Sequence, residues 1–185
     1  MRQPGHRKPL YSPEERRRRD ASPWTIVQGV LAPLQFLVFL VSLWLVVSYL
    51  LTGEGFFAAT VSVVIKTVVL YTIMITGSIW ERDVYGKYLF VEAFFWEDVF
   101  SMLVLALHTA YLVALYVDAD PRHQMFIALA AYATYVINAT QFLLKLRAAR
   151  LDGAHSGAAV AQDPAIEGVA IEGAAIDPGV ARLTK

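Results

Sequence analysis

The chain has 185 residues, is 57% hydrophobic and 17% charged, and carries no net charge. A water-soluble domain scatters its charges; here they gather in an N-terminal arm, two short loops and the C-terminal end, and between Trp24 and Trp80 only Glu54 and Lys66 are charged, a segregation that selects a membrane protein over a soluble globule. The absence of cysteine excludes disulfides, thiolate chemistry and cysteine-ligated metal or iron–sulfur centres.

Residues 1–23 form a basic arm. Ser12-Pro13-Glu14-Glu15 has the pattern of a helix start, with Ser at the N-cap, Pro at the first helical position and Glu at the third. Arg16 to Arg19 follow, and Ser22-Pro23 repeats the start signal before Trp24, a residue suited to the membrane interface. The arm is too polar for a cleavable signal peptide, so the first span serves as its own targeting signal.

Four apolar runs then follow, predicted as helices over about 24–51, 57–80, 93–116 and 124–146. Each exceeds the roughly 20 residues a bilayer requires. Pro33 in the first run cannot donate to the carbonyl of Gly29, so a kink is expected there. Thr52-Gly53-Glu54-Gly55 is a short turn, 81–88 a charged loop, and 118–123 a turn around Pro121. Residues 152–185 are rich in Ala, Gly, Asp and Glu, with Ala165-Ile166-Glu167-Gly168 echoed by Ala170-Ile171-Glu172-Gly173. That composition predicts a disordered tail. The domain plan is therefore a basic arm (1–23), a four-helix unit (24–151) and a tail (152–185). Lys and Arg concentrate in the arm, in the loop at 81–88 (Arg82, Lys87) and after the fourth span (Lys145, Arg147, Arg150), whereas the other two loops hold only Arg122. All the positive ends lie on one side, so both termini are expected in the cytoplasm. The fold class is all-α, an integral-membrane four-helix bundle.

Polar groups inside the apolar runs are the candidates for function, because their burial in hydrocarbon is costly. Gln28, Gln35, Ser42 and Tyr49 recur every seventh residue of the first span, the repeat of a packed seam. Ala59, Ser62, Lys66, Ile73 and Gly77 share a face of the second span, and Ala131, Thr134, Asn138, Gln141 and Lys145 share one of the fourth. In the third, Glu97 and His108 fall on one face at about 100° per residue, with Ser101 and Val104 between them. Lys66 and His108 lie near ~12 Å from the outer ends of their spans. Glu97, Asp98, Gln28, Asn138 and Gln141 fall in the cytoplasmic half. The expected site thus has an acid-and-amide level inside and a Lys/His level further out. Each group has a structural alternative. Lys66 can snorkel, His108 can serve only as a hydrogen-bonding group, the Gln/Ser stripe can be interhelical glue, and Glu97-Asp98 can cap the third helix. Phe94-Phe95-Trp96 ahead of the acids argue against capping, since the apolar run has already begun.

No dinucleotide fingerprint, P-loop, zinc-protease or nucleophile-elbow motif occurs. The basic arm reads as a membrane-surface feature and not as a nucleic-acid site.

Tyr11–Arg19 (YSPEERRRR), Asp20–Phe36 (DASPWTIVQGVLAPLQF), Tyr71–Glu81 (YTIMITGSIWE), Ala93–Leu112 (AFFWEDVFSMLVLALHTAYL) and Ala130–Leu151 (AAYATYVINATQFLLKLRAARL) resemble the 3-vinyl bacteriochlorophyllide hydratase family. The likeness covers about residues 11–151 and not the tail. Val91-Glu92 stands where the family pattern has Ala-Pro, so Glu92 is a poor site candidate. The resemblance implies addition of water across the 3-vinyl group of chlorophyllide a, or a related magnesium chlorin, to give a 3-(1-hydroxyethyl) product without a cofactor. It also implies a bacterial inner or intracytoplasmic photosynthetic membrane, lipid contact and proximity to other bacteriochlorophyll-synthesis enzymes.

Hydration of a vinyl group needs an acid, for which Glu97 and Asp98 are the candidates. His108 is a candidate to hold water or to be an axial ligand of the substrate magnesium; no resident metal is expected. Lys66, Gln28, Gln35, Asn138 and Gln141 are candidate substrate contacts. Two alternatives are a non-catalytic pigment- or haem-binding membrane protein and a small transporter relaying protons through Lys66 and Glu97.

Overall fold

The computed structural model describes residues 10–161. The described residues form five helices and no strands: α1 (Pro13–Ala21), α2 (Pro23–Thr52), α3 (Phe56–Tyr85), α4 (Phe95–Tyr116) and α5 (Pro121–Ala161). Four are long and apolar enough to cross a membrane: α2, α3, α4 and the first part of α5, Pro121–Ala148. The chain is an all-α membrane protein. It divides into two compact units, Met1–Leu144 and Lys145–Lys185, of which the first holds the bundle. The described part of the second is helix, since α5 continues to Ala161. The tail expected over 152–185 is helical as far as Ala161 and otherwise lies outside the described residues.

Local chemistry sets the helix ends. Ser12 caps α1 through a capping box: its hydroxyl accepts from the Glu15 N–H and the Glu15 carboxylate accepts from the Ser12 N–H. α2 is one continuous helix through Pro33 and stops at Gly53, whose φ of +77° suits a residue without a Cβ. α3 overruns the expected end at Trp80 and reaches Tyr85, where Gly86 at φ +80° terminates it. The charged loop expected from 81 is therefore shorter, and Glu81 lies on a helix. Asp120 accepts from the Arg122 and His123 N–H groups at the start of α5 (2.9 and 3.3 Å), ahead of Pro121.

α2 and α3 pack antiparallel along a ladder of side-chain contacts. Ser22 meets Asp83 (2.9 Å), Trp80 donates to Thr25 (2.9 Å), Gln28 donates to Thr76 (2.7 Å), Ser42 meets Ser62 (2.7 Å), and the Tyr49 and Phe56 rings close the far end at 5.3 Å. Every advance along α2 is matched by a retreat along α3. The seven-residue stripe of α2 is therefore its α3-facing seam, buried at Gln35 and Ser42 with Phe39 and Val46 between and beyond them. Tyr71 bonds Thr109 between α3 and α4 (2.8 Å), Asn138 donates to Ser101 between α5 and α4 (2.8 Å), and Ser42 bonds Tyr132 between α2 and α5 (2.5 Å). The core holds Phe39, Val46, Val63, Leu70, Val104, Tyr111, Met125 and Tyr132. The opposite faces carry exposed apolar side chains such as Leu37, Val41, Trp44, Ile65, Val68 and Val113, as a lipid-facing surface requires.

A second core, built from Tyr11, Val84, Val91 and Phe94 with Trp80, Tyr85 and Phe142 against it, closes the end of the bundle that carries the arm. The basic arm is thus docked through Tyr11, which stacks on Tyr85 at 6.0 Å beneath the Arg19 guanidinium. Burial pushes the Tyr11 phenol above its usual pKa, the nearby Arg19 acting in the other direction.

Candidate functional site

The candidate polar side chains fall into two groups along the bundle. The first lies at the arm end. The α4 helix begins at Phe95, so Glu97 and Asp98 occupy its first turn. This corrects the expectation that the helix would already be under way at the acids, and it gives both a favourable place near the helix N-terminus. Both are buried, on the same face as Ser101, Val104, His108 and Tyr111. One oxygen of Asp98 accepts the backbone N–H of Phe90 at 2.7 Å. Phe90 sits at φ +58°, a left-handed conformation that costs a bulky residue about 1–2 kcal/mol, so the Asp98 bond holds the α3–α4 connection in a shape it would not choose alone. Glu81, near the end of α3, lies close enough to Asp98 for the two carboxyls to act on one another. Glu81 is buried, and its second oxygen, Oε2, has no partner.

The amides at this end do not join the acids directly. Gln28 is committed to Thr76. Asn138 is committed to Ser101 through its Nδ2, leaving its Oδ1 unpartnered, as is Oε1 of half-buried Gln141.

The second group lies about 16 Å further along α4, the length of the eleven residues separating Glu97 from His108. His108 and Lys66 are fully buried. The His108 Nδ1 bonds the Val104 carbonyl at 2.8 Å, so Nδ1 carries the hydrogen and Nε2 presents a lone pair. That Nε2 has no partner, and neither does Lys66 Nζ, which lies 3.8 Å from the centre of the Tyr135 ring in cation–π geometry. Lys66 therefore does not snorkel. It is near enough to His108 to act on it electrostatically. Tyr132 lies beside the imidazole at 5.9 Å, and its hydroxyl runs through Ser42 to Ser62 and the Ala59 carbonyl. Gln35 is buried with neither amide atom paired. A buried polar atom without a partner costs about 1–3 kcal/mol, and Gln35, Lys66, His108 and Tyr111 carry such atoms here. Among the described residues no cluster of three or more metal-ligating side chains occurs.

Sequence reasoning did not single out Glu81, Tyr132 or Tyr135. Glu81 follows Trp80 in a charged run that reads as loop, yet it lies four residues past Gly77 on the Lys66 face. Tyr135 and Tyr132 fall at three-residue steps before Asn138, a helical spacing that places them on the inward face, but aromatics near membrane interfaces are common enough to mask it.

Comparison with known proteins adds an independent line. The profile of a family described as 2-vinyl bacteriochlorophyllide hydratase matches residues 11–148. A protein of Rhodobacter capsulatus named 2-vinyl bacteriochlorophyllide hydratase is 68% identical over 152 residues, covering 82% of this chain and 89% of its own. One of the same name from Cereibacter sphaeroides is 68% identical over 147 residues, covering 80% of this chain and 91% of its own. No solved structure matches the chain.

Proposed function

The chain belongs to the 2-vinyl bacteriochlorophyllide hydratase family, and from that premise we infer that it is a hydro-lyase that adds water across the vinyl group of a bacteriochlorophyll precursor. The observation that carries this is the 68% identity to hydratases along most of both chains. The finer reading is that the substrate is chlorophyllide a or a related magnesium chlorin. Its vinyl group is the 3-vinyl of current macrocycle numbering, and the product is the 3-(1-hydroxyethyl) chlorin. The enzyme works in the inner or intracytoplasmic membrane with both termini in the cytoplasm, a topology supported by the Lys/Arg distribution.

The reaction needs two proton movements. A carboxylic acid gives its proton to the terminal vinyl carbon, the π pair forming the new C–H bond. The positive charge on the adjacent carbon spreads into the macrocycle. The oxygen of a water molecule forms the C–O bond and releases a proton to the waiting carboxylate. One water is gained and no redox change occurs. Asp98 and Glu97 are the candidates for the acid, supported by their burial in the first turn of α4; positioned acid–base groups contribute about 100- to 10,000-fold. His108 supplies an outward lone pair, and its complete burial favours water as its ligand over the bulkier substrate magnesium. Lys66 and Gln35 offer unpaired donors to a polar substituent of the chlorin or to its water. Gln28, Asn138 and Gln141 line the acid end as further substrate contacts.

The test supplies chlorophyllide a to membranes containing the full chain and follows pigment mass. A product heavier by one water, absent from membranes lacking the chain, is expected. Unchanged chlorophyllide that nevertheless co-purifies with the protein would replace the hydratase reading with a pigment carrier.

A further inference from the structure

We infer that Asp98 is a positioning residue, a clamp that holds Phe90 and with it the α3–α4 connection in a strained shape, and that the proton of the hydration comes from Glu97. The inference rests on the hydratase reading for the reaction and on geometry for the clamp itself.

The connection leaves α3 at Gly86, which turns left-handed at φ +80° as a glycine does freely. Phe90 takes the same region at φ +58°, where its Cβ and ring make the conformation costly. Such strain persists only where the surroundings over-determine it. Phe90 is 45% exposed, so burial of its ring supplies only part of the compensation. Two contacts tie it to the start of α4. Its ring lies 5.9 Å from that of Phe95, the first residue of the helix. Its N–H donates to Oδ2 of Asp98 at 2.7 Å. The chain then closes in one turn, the Phe94 N–H donating to the Val91 carbonyl and the Asp98 N–H to the Phe94 carbonyl, both at 2.9 Å. Asp98 therefore meets the connection with backbone and side chain together, and the helix turn that carries Glu97 is placed through it.

The same bond argues against Asp98 as the acid. Its length lies at the short end, in the range of an N–H held by an ionised oxygen, and the first turn of α4 favours a negative charge there. A proton donor changes charge in every turnover. A clamp that did so would loosen while the substrate is bound. Glu97 is buried on the inward stripe with Ser101, Val104 and His108 and can take the changing charge. It gives its proton to the terminal vinyl carbon as the π pair forms the C–H bond. It recovers one from the water that forms the C–O bond. Water is the only added reactant.

The test measures the full chain in membranes or detergent, reading kcat/KM for chlorophyllide a hydration and amide hydrogen exchange at Phe90. Asp98→Ala leaves the left-handed shape unsupported. Strain of that size changes a population by about 5- to 30-fold, and kcat/KM is expected to fall by the same factor, with the Phe90 amide exchanging freely. Asp98→Asn keeps an oxygen for the Phe90 N–H but a weaker bond, so it is expected to fall between wild type and Asp98→Ala, with the amide still protected. Adding Phe90→Gly to Asp98→Ala is expected to restore most of the loss, because glycine takes this conformation without a clamp. Glycine eight residues away in sequence cannot replace a lost catalytic acid. Glu97→Gln is expected to lose about 100-fold or more. A loss of about 100-fold or more per folded molecule in Asp98→Asn, or a loss in Asp98→Ala that Phe90→Gly leaves untouched, overturns the proposal. If Asp98→Ala does not fold, Asp98→Asn and Glu97→Gln decide. Failure of the wild type to hydrate chlorophyllide would sink the hydratase reading, while amide exchange in the wild type and Asp98→Asn would still report on the clamp.

Discussion

Asp98 accepts the Phe90 N–H with one oxygen, whereas Glu97, one residue earlier, is buried on the same helix turn. Replacing each by its amide separates their roles. Asp98→Asn keeps the side-chain oxygen that accepts from Phe90 and is expected to cut hydration by about 100- to 10,000-fold per folded molecule if Asp98 is the acid, with chlorophyllide still bound. Glu97→Gln is expected to show the same loss only if the acid is Glu97. A capping role alone is worth about 0.3–1 kcal/mol and would appear as reduced expression with normal turnover. If both amides turn over at the wild-type rate, the acid lies elsewhere. The inward placement of Glu97, Asp98, Lys66 and His108 was legible in the sequence, because a charge or imidazole inside an apolar run is costly to leave in lipid. That of Glu81 was not, because its neighbours Arg82 and Asp83 are exposed charges that disguise the helix carrying it. The unpartnered state of His108 Nε2 was not legible either, since spacing locates a face and not a bond.

At the level of elements, the four spans and the α1 cap follow closely from sequence: Ser12 caps α1 as its pattern predicts, and the spacing of Gln28, Gln35, Ser42 and Tyr49 marks the face of α2 that packs on α3. Helix ends were less legible where no Gly or Pro intervenes. The α3 helix runs past Trp80 until Gly86 stops it. Ser42 joins three helices through Ser62 and Tyr132. Removing its hydroxyl in Ser42→Ala leaves both partners short of a bond in a dry interior. Interhelical hydrogen bonds in membranes average about 0.6 and reach about 1.7 kcal/mol, so the two-bond loss is expected to lower stability by about 1–2 kcal/mol. Detergent-mediated unfolding measures this, and no change in midpoint would show that the serine contacts are replaceable.

For the whole molecule, the charge asymmetry makes a topological statement that packing alone does not. With both termini inside, reporter fusions at Gly55 and Pro121 are expected to read external and one at Gly86 internal; an external reading at Gly86 overturns the arrangement and inverts which end of the bundle meets the cytoplasm. The α2–α3 ladder has a further consequence for how such a bundle assembles. Its bonded pairs draw together in sequence toward the Gly53–Gly55 turn, from a separation of 61 residues at Ser22–Asp83 through 48 at Gln28–Thr76 to 20 at Ser42–Ser62. Loop-closure entropy rises by only about 0.6 kcal/mol for each doubling of length, and a contact already formed shortens the loop that the next one must close. The least costly order is therefore a zipper that starts at the turn and runs toward the arm. The rungs at Ser22–Asp83, Thr25–Trp80 and Gln28–Thr76 draw on no residue of α4 or α5, whereas the Ser42 rung is completed by Tyr132, so the second half of the molecule, with its acids and imidazole, locks a hairpin that has already begun to close.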